Sequence, residues 1–91
     1  MEIVHADLCG PMQTPSLNGS VYFMTFIDDF SEKTWLYLLK QKTEAFGVFK
    51  RFKSMVENES GHTIKILRSD GGDEYKLNEF IEFCNYNGIK R

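Results

Sequence analysis

The sequence predicts a mixed α/β domain with the element order β-β-β-α-β-α-β(start). Three observations carry this prediction. Strand-like apolar runs rich in aromatics fill the chain up to Leu39. From Thr43 the apolar residues recur at helical spacing instead. A further strand-like run, "TIKILRSD", follows that helix, and a strand–helix–strand connection calls for a parallel neighbour in the sheet.

Residues Ile3 to Leu8 form the first predicted strand, with Val4, Ala6 and Leu8 on one face and Ile3, His5 and Asp7 on the other. The segment "CGPMQTPSLNGS" is crowded with Gly, Pro, Ser and Asn and predicts a loop. "VYFMTFI" is almost unbroken apolar sequence, which suits a central strand covered on both faces. After a turn at "DDFSEK", Thr34 to Leu39 supplies a third strand, and the three make an antiparallel meander.

Ala45, Val48, Phe49, Phe52, Met55 and Val56 form the apolar stripe of an amphipathic helix that Gly61 ends. Gly47 weakens that helix by about 1 kcal/mol relative to Ala. The fourth strand closes on Asp70. Leu77, Phe80, Ile81 and Cys84 make a second helical stripe, with Gly88 as its C-cap and Ile89 opening another strand.

Ninety-one residues at 42% hydrophobic and 14% aromatic suffice for one small domain with a single core. A net charge of −2 excludes a strongly basic footprint, so a polyanionic partner has to be held by local basic clusters or by metal ions. Cys9 and Cys84 lie far apart and form no C-x-x-C pair, so neither zinc nor a disulfide framework is indicated and a reduced intracellular compartment is expected. No stretch approaches the roughly 20 apolar residues of a membrane span, and the chain reads as soluble, with no membrane partner. The chain opens within a strand-like run and stops where another begins, so the domain is expected to continue beyond Arg91.

Strand direction sorts the acids. If the first strand runs upward, Asp7 stands near its top and Asp28 and Asp29 at the bottom of the second. The fourth strand runs upward again, so Asp7 and Asp70 share one edge of the sheet. Two carboxylates on neighbouring parallel strands repel unless protonated or bridged, and hard cations such as Mg²⁺ or Mn²⁺ take oxygen ligands. Acids at strand ends also cap turns or face water, and spacing alone leaves both readings open.

The other candidates carry structural readings. Asp28 and Asp29 are turn acids that bond to the backbone around Phe30 and Ser31. His5 shares a strand face with Asp7 but reads as a partly buried structural residue, and His62 as solvated. Cys9 and Cys84 are expected to be small buried apolar side chains. Lys40, Lys42, Lys50, Arg51 and Lys53 read as the solvated face of the first helix. Gly71 and Gly72 read as turn residues, and Asp73 and Glu74 as acids approaching the next helix.

Two blocks, "HADLCGPMQTPSLNGSVYFMTFIDDFSEKTWLYLLK" and "TIKILRSDGGDEY", resemble the integrase catalytic core of copia-type retrotransposon polyproteins, a branch of the retroviral integrase superfamily. The resemblance covers the whole chain and implies a ribonuclease H-like fold, consistent with the element order. It further implies a divalent-metal polynucleotidyl transferase that trims DNA ends and joins them to target DNA. On that resemblance Asp7 and Asp70 are the first and second catalytic, metal-binding aspartates. It likewise implies Mg²⁺ or Mn²⁺ as cofactor, DNA as partner, a possible homo-oligomer, and a nuclear location for the integration step.

Two departures from the family pattern stand out. The family's third catalytic residue is a glutamate farther along than the 21 residues that follow Asp70. Residues 1–91 are therefore expected to be a partial, truncated core lacking the part that carries this carboxylate, and to be inactive in isolation. Where the family reads Arg-Ser-Asp-Asn-Gly-Gly-Glu-Tyr, this chain has Gly71 in place of Asn and Asp73 in place of the second Gly. The competing expectation is a non-catalytic nucleic-acid- or protein-interaction module derived from a retroelement.

Overall fold

The computed structural model describes residues 3–14, 19–69 and 78–91. Three strands come first: β1 (Ile3–Thr14), β2 (Gly19–Asp28) and β3 (Thr34–Leu39). A 3-10 turn (Lys42–Glu44), α1 (Ala45–Ser60), β4 (Ile66–Ser69) and α2 (Asn78–Tyr86) follow. The sheet order is β3-β2-β1-β4, with β1–β2 and β2–β3 antiparallel and β1–β4 parallel. The mixed sheet and its parallel neighbour are therefore as expected. Beyond α2, Ile66 bridges Lys90 in parallel, and Leu67 N–H donates to the Lys90 carbonyl at 2.8 Å, so a further strand does begin on the outer side of β4.

One face of the sheet holds the core. Val4, Ala6, Met24 and Phe26 point inward and are fully buried beneath α1. Phe26 and Phe52 stack with ring centroids 4.1 Å apart and planes 5° from parallel, and Trp35 meets Phe52 edge-on at 5.1 Å. On the flank of α1, Phe49 stacks on Phe80 of α2 at 5.2 Å. The apolar stripe read from the sequence is thus two-sided: Phe52 faces the sheet, while Phe49, together with Phe46, which the stripe did not include, receives α2.

The end of α1 is tied to β4 by one side chain. Gly61 adopts the left-handed conformation (φ 73°) expected of a helix-ending glycine, and its N–H donates to the Glu57 carbonyl. The Glu57 carboxylate accepts from the Ile64 N–H at 2.9 Å and pairs with Lys53 at 2.7 Å. This pins the connection just before β4, so the strand starts at Ile66 and not at the expected Thr63.

Three expectations need correction. Cys9–Thr14, expected in a loop, continues β1: the register slips between Cys9 and Met12, and pairing resumes as Met12–Val21, Gln13–Ser20 and Thr14–Gly19. The irregularity takes up Gly10 and Pro11, where a proline without an N–H breaks no regular ladder bond. A Cβ on Gly10 would lie 3.0 Å from the Val21 carbonyl oxygen, and its φ of 128° also requires glycine.

The second correction concerns β2, which is interior in the sheet but covered on one face only. Phe26 is 0% exposed and its neighbour Ile27 is 36% exposed, because both helices pack on the same side. The third concerns Cys9, which is exposed and not buried. Strand alternation puts it with Asp7 on the face opposite the helices. Cys84 is buried as expected, and desolvation pushes its thiol pKa up.

Because Phe52 joins the sheet to its covering helix, Phe52→Ala should destabilise the domain by about 3–5 kcal/mol. That is a large share of a small domain's total stability. The urea midpoint should drop sharply or the cooperative transition should vanish, whereas an unchanged midpoint would show that the stack contributes little.

Candidate metal centre

β-Strand alternation positions Asp7. Its neighbours Val4 and Ala6 are buried, so Ile3, His5 and Asp7 stand on the outer face, each partly exposed. Asp7 is opposite Thr25 of β2, and His5 lies between Ile27 of β2 and Arg68 of β4. The Cys9 sulfur lies 3.9 Å from the Asp7 Oδ2, a weak contact.

The parallel ladder runs from Ile3–Ile66 through Val4–Leu67 and His5–Arg68 to Ala6–Ser69. In sequence, the residues that follow this last pair are Asp7 and Asp70. Asp70 lies outside the described residues, as do Gly71, Asp73, Glu74 and Leu77. The ladder carries the strand-direction argument as far as Ser69.

A carboxylate on a partly exposed strand position suits one ligand of a hard cation. One ligand does not make a site: among the described residues no three His, Cys, Asp or Glu side chains cluster to hold a metal. Asp7 offers one oxygen donor, and the described residues form no set of three such groups with it.

Asp28 belongs to the other end of the sheet, as strand direction requires. It pairs with Val4 and is 7% exposed. Its Oδ1 accepts from the Phe30 N–H at 3.1 Å and its Oδ2 from the Ser31 hydroxyl at 2.9 Å. Burial pushes the carboxyl up, but these bonds, with further favourable charge and backbone contributions, outweigh it and hold the pKa below the ordinary aspartate range. The turn-acid reading is thus borne out for Asp28.

A cavity of about 370 Å³ opens beside this turn, lined by Asp28, Lys33, Trp35, Val56, Glu59 and Ser60, with the Lys33 ammonium 5.4 Å from the Trp35 ring centroid. Sequence reading did not find it, because its walls come from a hairpin and the end of a helix more than twenty residues apart in the chain. Of the basic residues around α1, Lys40, Lys42, Lys50 and Arg51 are exposed, while Lys53 is engaged with Glu57. Glu44, exposed in the turn before α1, accepts from the Lys40 and Gln41 amides at 2.7 and 3.0 Å, and these bonds hold its pKa down.

A mixed sheet with three antiparallel strands, a parallel fourth beside β1 and helices packed against it matches the ribonuclease H-like architecture that the sequence predicts. The Integrase core domain family matches residues 1–91, and the chain belongs to that family. It is 49% identical, over 99% of its length, to the retrovirus-related Pol polyprotein from transposon TNT 1-94 of Nicotiana tabacum. It is 43% identical, over 81% of its length, to the corresponding polyprotein from transposon RE2 of Arabidopsis thaliana. The chain spans 7% and 5% of those two polyproteins.

Among solved structures, the HTLV-2 integrase catalytic core domain in complex with magnesium (dimeric form) superposes with a TM-score of 0.78 at 20% identity. The match covers 98% of this chain and 57% of that one. The BIV integrase catalytic core superposes with a TM-score of 0.69 at 17% identity, covering 98% of this chain and 51% of that one. At these identities the superpositions show the fold, and the expected ribonuclease H-like architecture is borne out.

The depressed Asp28 carboxyl has a pH consequence. An aspartate whose folded pKa lies below its unfolded value, about 3.9, contributes stability that is full above that value and lost as pH falls through the folded pKa. Asp28→Asn should therefore be less stable than the parent chain at pH 7, and the difference should shrink as pH drops from about 5 to below 4. Urea midpoints across that range read the effect; parallel profiles would contradict it.

Proposed function

We propose that this chain contributes to the metal-dependent active site of an integrase, with Asp7 and Asp70 as ligands of Mg²⁺ or Mn²⁺ and DNA as substrate. The observation that carries this reading is the parallel ladder ending at Ala6–Ser69, which brings side by side the backbone segments leading into the two aspartates. Family membership and the magnesium complex of the HTLV-2 core support the choice of cation.

Divalent ions held by carboxylates supply a nucleophile and stabilise the leaving oxygen in phosphodiester transfer. The part of Asp7 is positional: β1 is paired with β2 through Asp7 and with β4 as far as Ala6, so its carboxylate follows directly on backbone held from both edges. In the proposed reaction water first cleaves a phosphodiester near a DNA end and frees a 3′ hydroxyl, which then attacks a target phosphodiester and displaces the target strand's 3′ oxygen, with no covalent enzyme intermediate. The integration step belongs to the nucleus on this reading.

We further read residues 1–91 as a partial core whose third carboxylate comes from chain beyond them, so the isolated chain binds metal weakly and does not turn over DNA. Asp73 and Glu74 follow Asp70 too closely in the chain to stand in for that residue. Among the described residues no helix is long and apolar enough to cross a membrane.

Calorimetric titration of the 91-residue chain with MnCl₂ tests the ligand assignment. Weak binding is expected, and Asp7→Asn/Asp70→Asn should abolish it. No binding by the unaltered chain, or unchanged binding in the double variant, would overturn the reading.

A further inference from the structure

At the end of the sheet away from Asp7, the β2–β3 turn and the last turn of α1 border the cavity of about 370 Å³. Its walls are chemically mixed. Trp35 supplies an aromatic ring and Val56 a buried apolar surface, while Asp28 and Glu59 supply carboxylates, Lys33 an ammonium and Ser60 a hydroxyl. Two carboxylates against one ammonium leave these walls with a net charge of −1.

The Trp35 ring already carries a cation. The Lys33 ammonium stands 5.4 Å from its centroid, where the ring quadrupole attracts positive charge. Among the described residues neither that ammonium nor the Glu59 carboxylate has an ion-pair partner. The Lys33 backbone is fixed, since its N–H donates to the Ser31 hydroxyl at 3.2 Å and its carbonyl accepts from the Asp28 N–H at 2.9 Å. Its exposed side chain can therefore leave the ring without disturbing the turn. Asp28 stays in place at 7% exposed, and the bonds it accepts from Phe30 and Ser31 do not exhaust the roughly four acceptor sites of a carboxylate.

We propose that this cavity binds a guanidinium group, which takes the place of the Lys33 ammonium on the Trp35 ring and forks onto the Glu59 carboxylate. A guanidinium suits these walls better than an ammonium. It is planar and weakly hydrated, so it stacks on an indole at little cost in solvation, and its paired N–H groups match the two oxygens of a carboxylate. The methylene stem behind it finds apolar surface at Val56. Lys33 is then a built-in competitor that holds the ring face until a better-fitting cation arrives.

A free guanidino molecule and an arginine of a protein partner present the same chemistry. The turn that supplies Asp28 and Lys33 also displays Phe30, 94% exposed, as a contact for a polypeptide. The site needs neither metal nor Asp7 and Asp70, so it stands or falls apart from the proposed function.

Trp35 is the single tryptophan of the chain, so its fluorescence reads the cavity directly. Titration of the 91-residue chain with Nα-acetyl-arginine amide should give a saturable change, and Nα-acetyl-lysine amide a much smaller one at the same concentrations. Glu59→Gln should raise the dissociation constant about tenfold. Lys33→Met should lower it about threefold by removing the competing cation, a gain that a merely structural lysine would not give. No saturable change, equal responses to the two amides, or weaker binding by Lys33→Met would overturn the proposal.

Acetyl-Leu-Arg-Leu-amide separates the two sources. Tighter binding than the blocked arginine, lost in Phe30→Ala, identifies an arginine carried by a polypeptide. Binding no tighter than that of the blocked arginine identifies a free guanidino molecule.

Discussion

The parallel pairing of β4 with β1 is the constraint on which the rest of this structure depends. Parallel neighbours cannot be joined by a tight hairpin, so the chain has to leave the sheet after β3, cross it, and return in the same direction. That crossing is α1. Its position over the inner face decides which side chains become core, and β4 returns along β1 as far as the Ala6–Ser69 pair.

Packing follows from the crossing. A helix laid over β1, β2 and β3 has to present bulk toward the sheet along one line of its surface, and Phe52 does so against Phe26 and Trp35. The flank of the same helix offers Phe46 and Phe49 to α2, so a 16-residue helix is held on two sides by aromatic contacts. Glu57 closes the system by fastening the helix end to the backbone that leads into β4. With both helices on one side, the opposite face of the sheet carries Asp7 at one end and the apolar strip of Leu36 and Leu38 toward the β3 edge.

Charge is distributed by the same logic. Asp28 is the acid most deeply buried among the described residues, and it is tied into a hairpin turn by an amide and a hydroxyl, which makes it a structural anion. Asp7 is partly exposed on the opposite face, on a strand paired with β2 through this position and with β4 as far as Ala6. The two stand at opposite ends of the sheet because the strands that carry them run in opposite directions.

Much of this was legible in the residues themselves. β3 was bounded correctly as Thr34–Leu39, the stripe of α1 was read residue by residue, and the helix end at Gly61 was marked by its own chemistry. Period, caps and strand direction are local properties of a chain, and so is the separation of Asp28 from Asp7 once the order of elements is known. Tertiary structure decided the remainder. Cys9–Thr14 became strand because β2 lay alongside to pair with it across a bulge, which overrode the turn-forming preferences of Gly10 and Pro11. Cys9 and Ile27 became exposed because both helices chose one face, and no property of an apolar residue states which face of its sheet will be covered. Composition and period determine what a segment can form; only the placement of its neighbours determines what it buries.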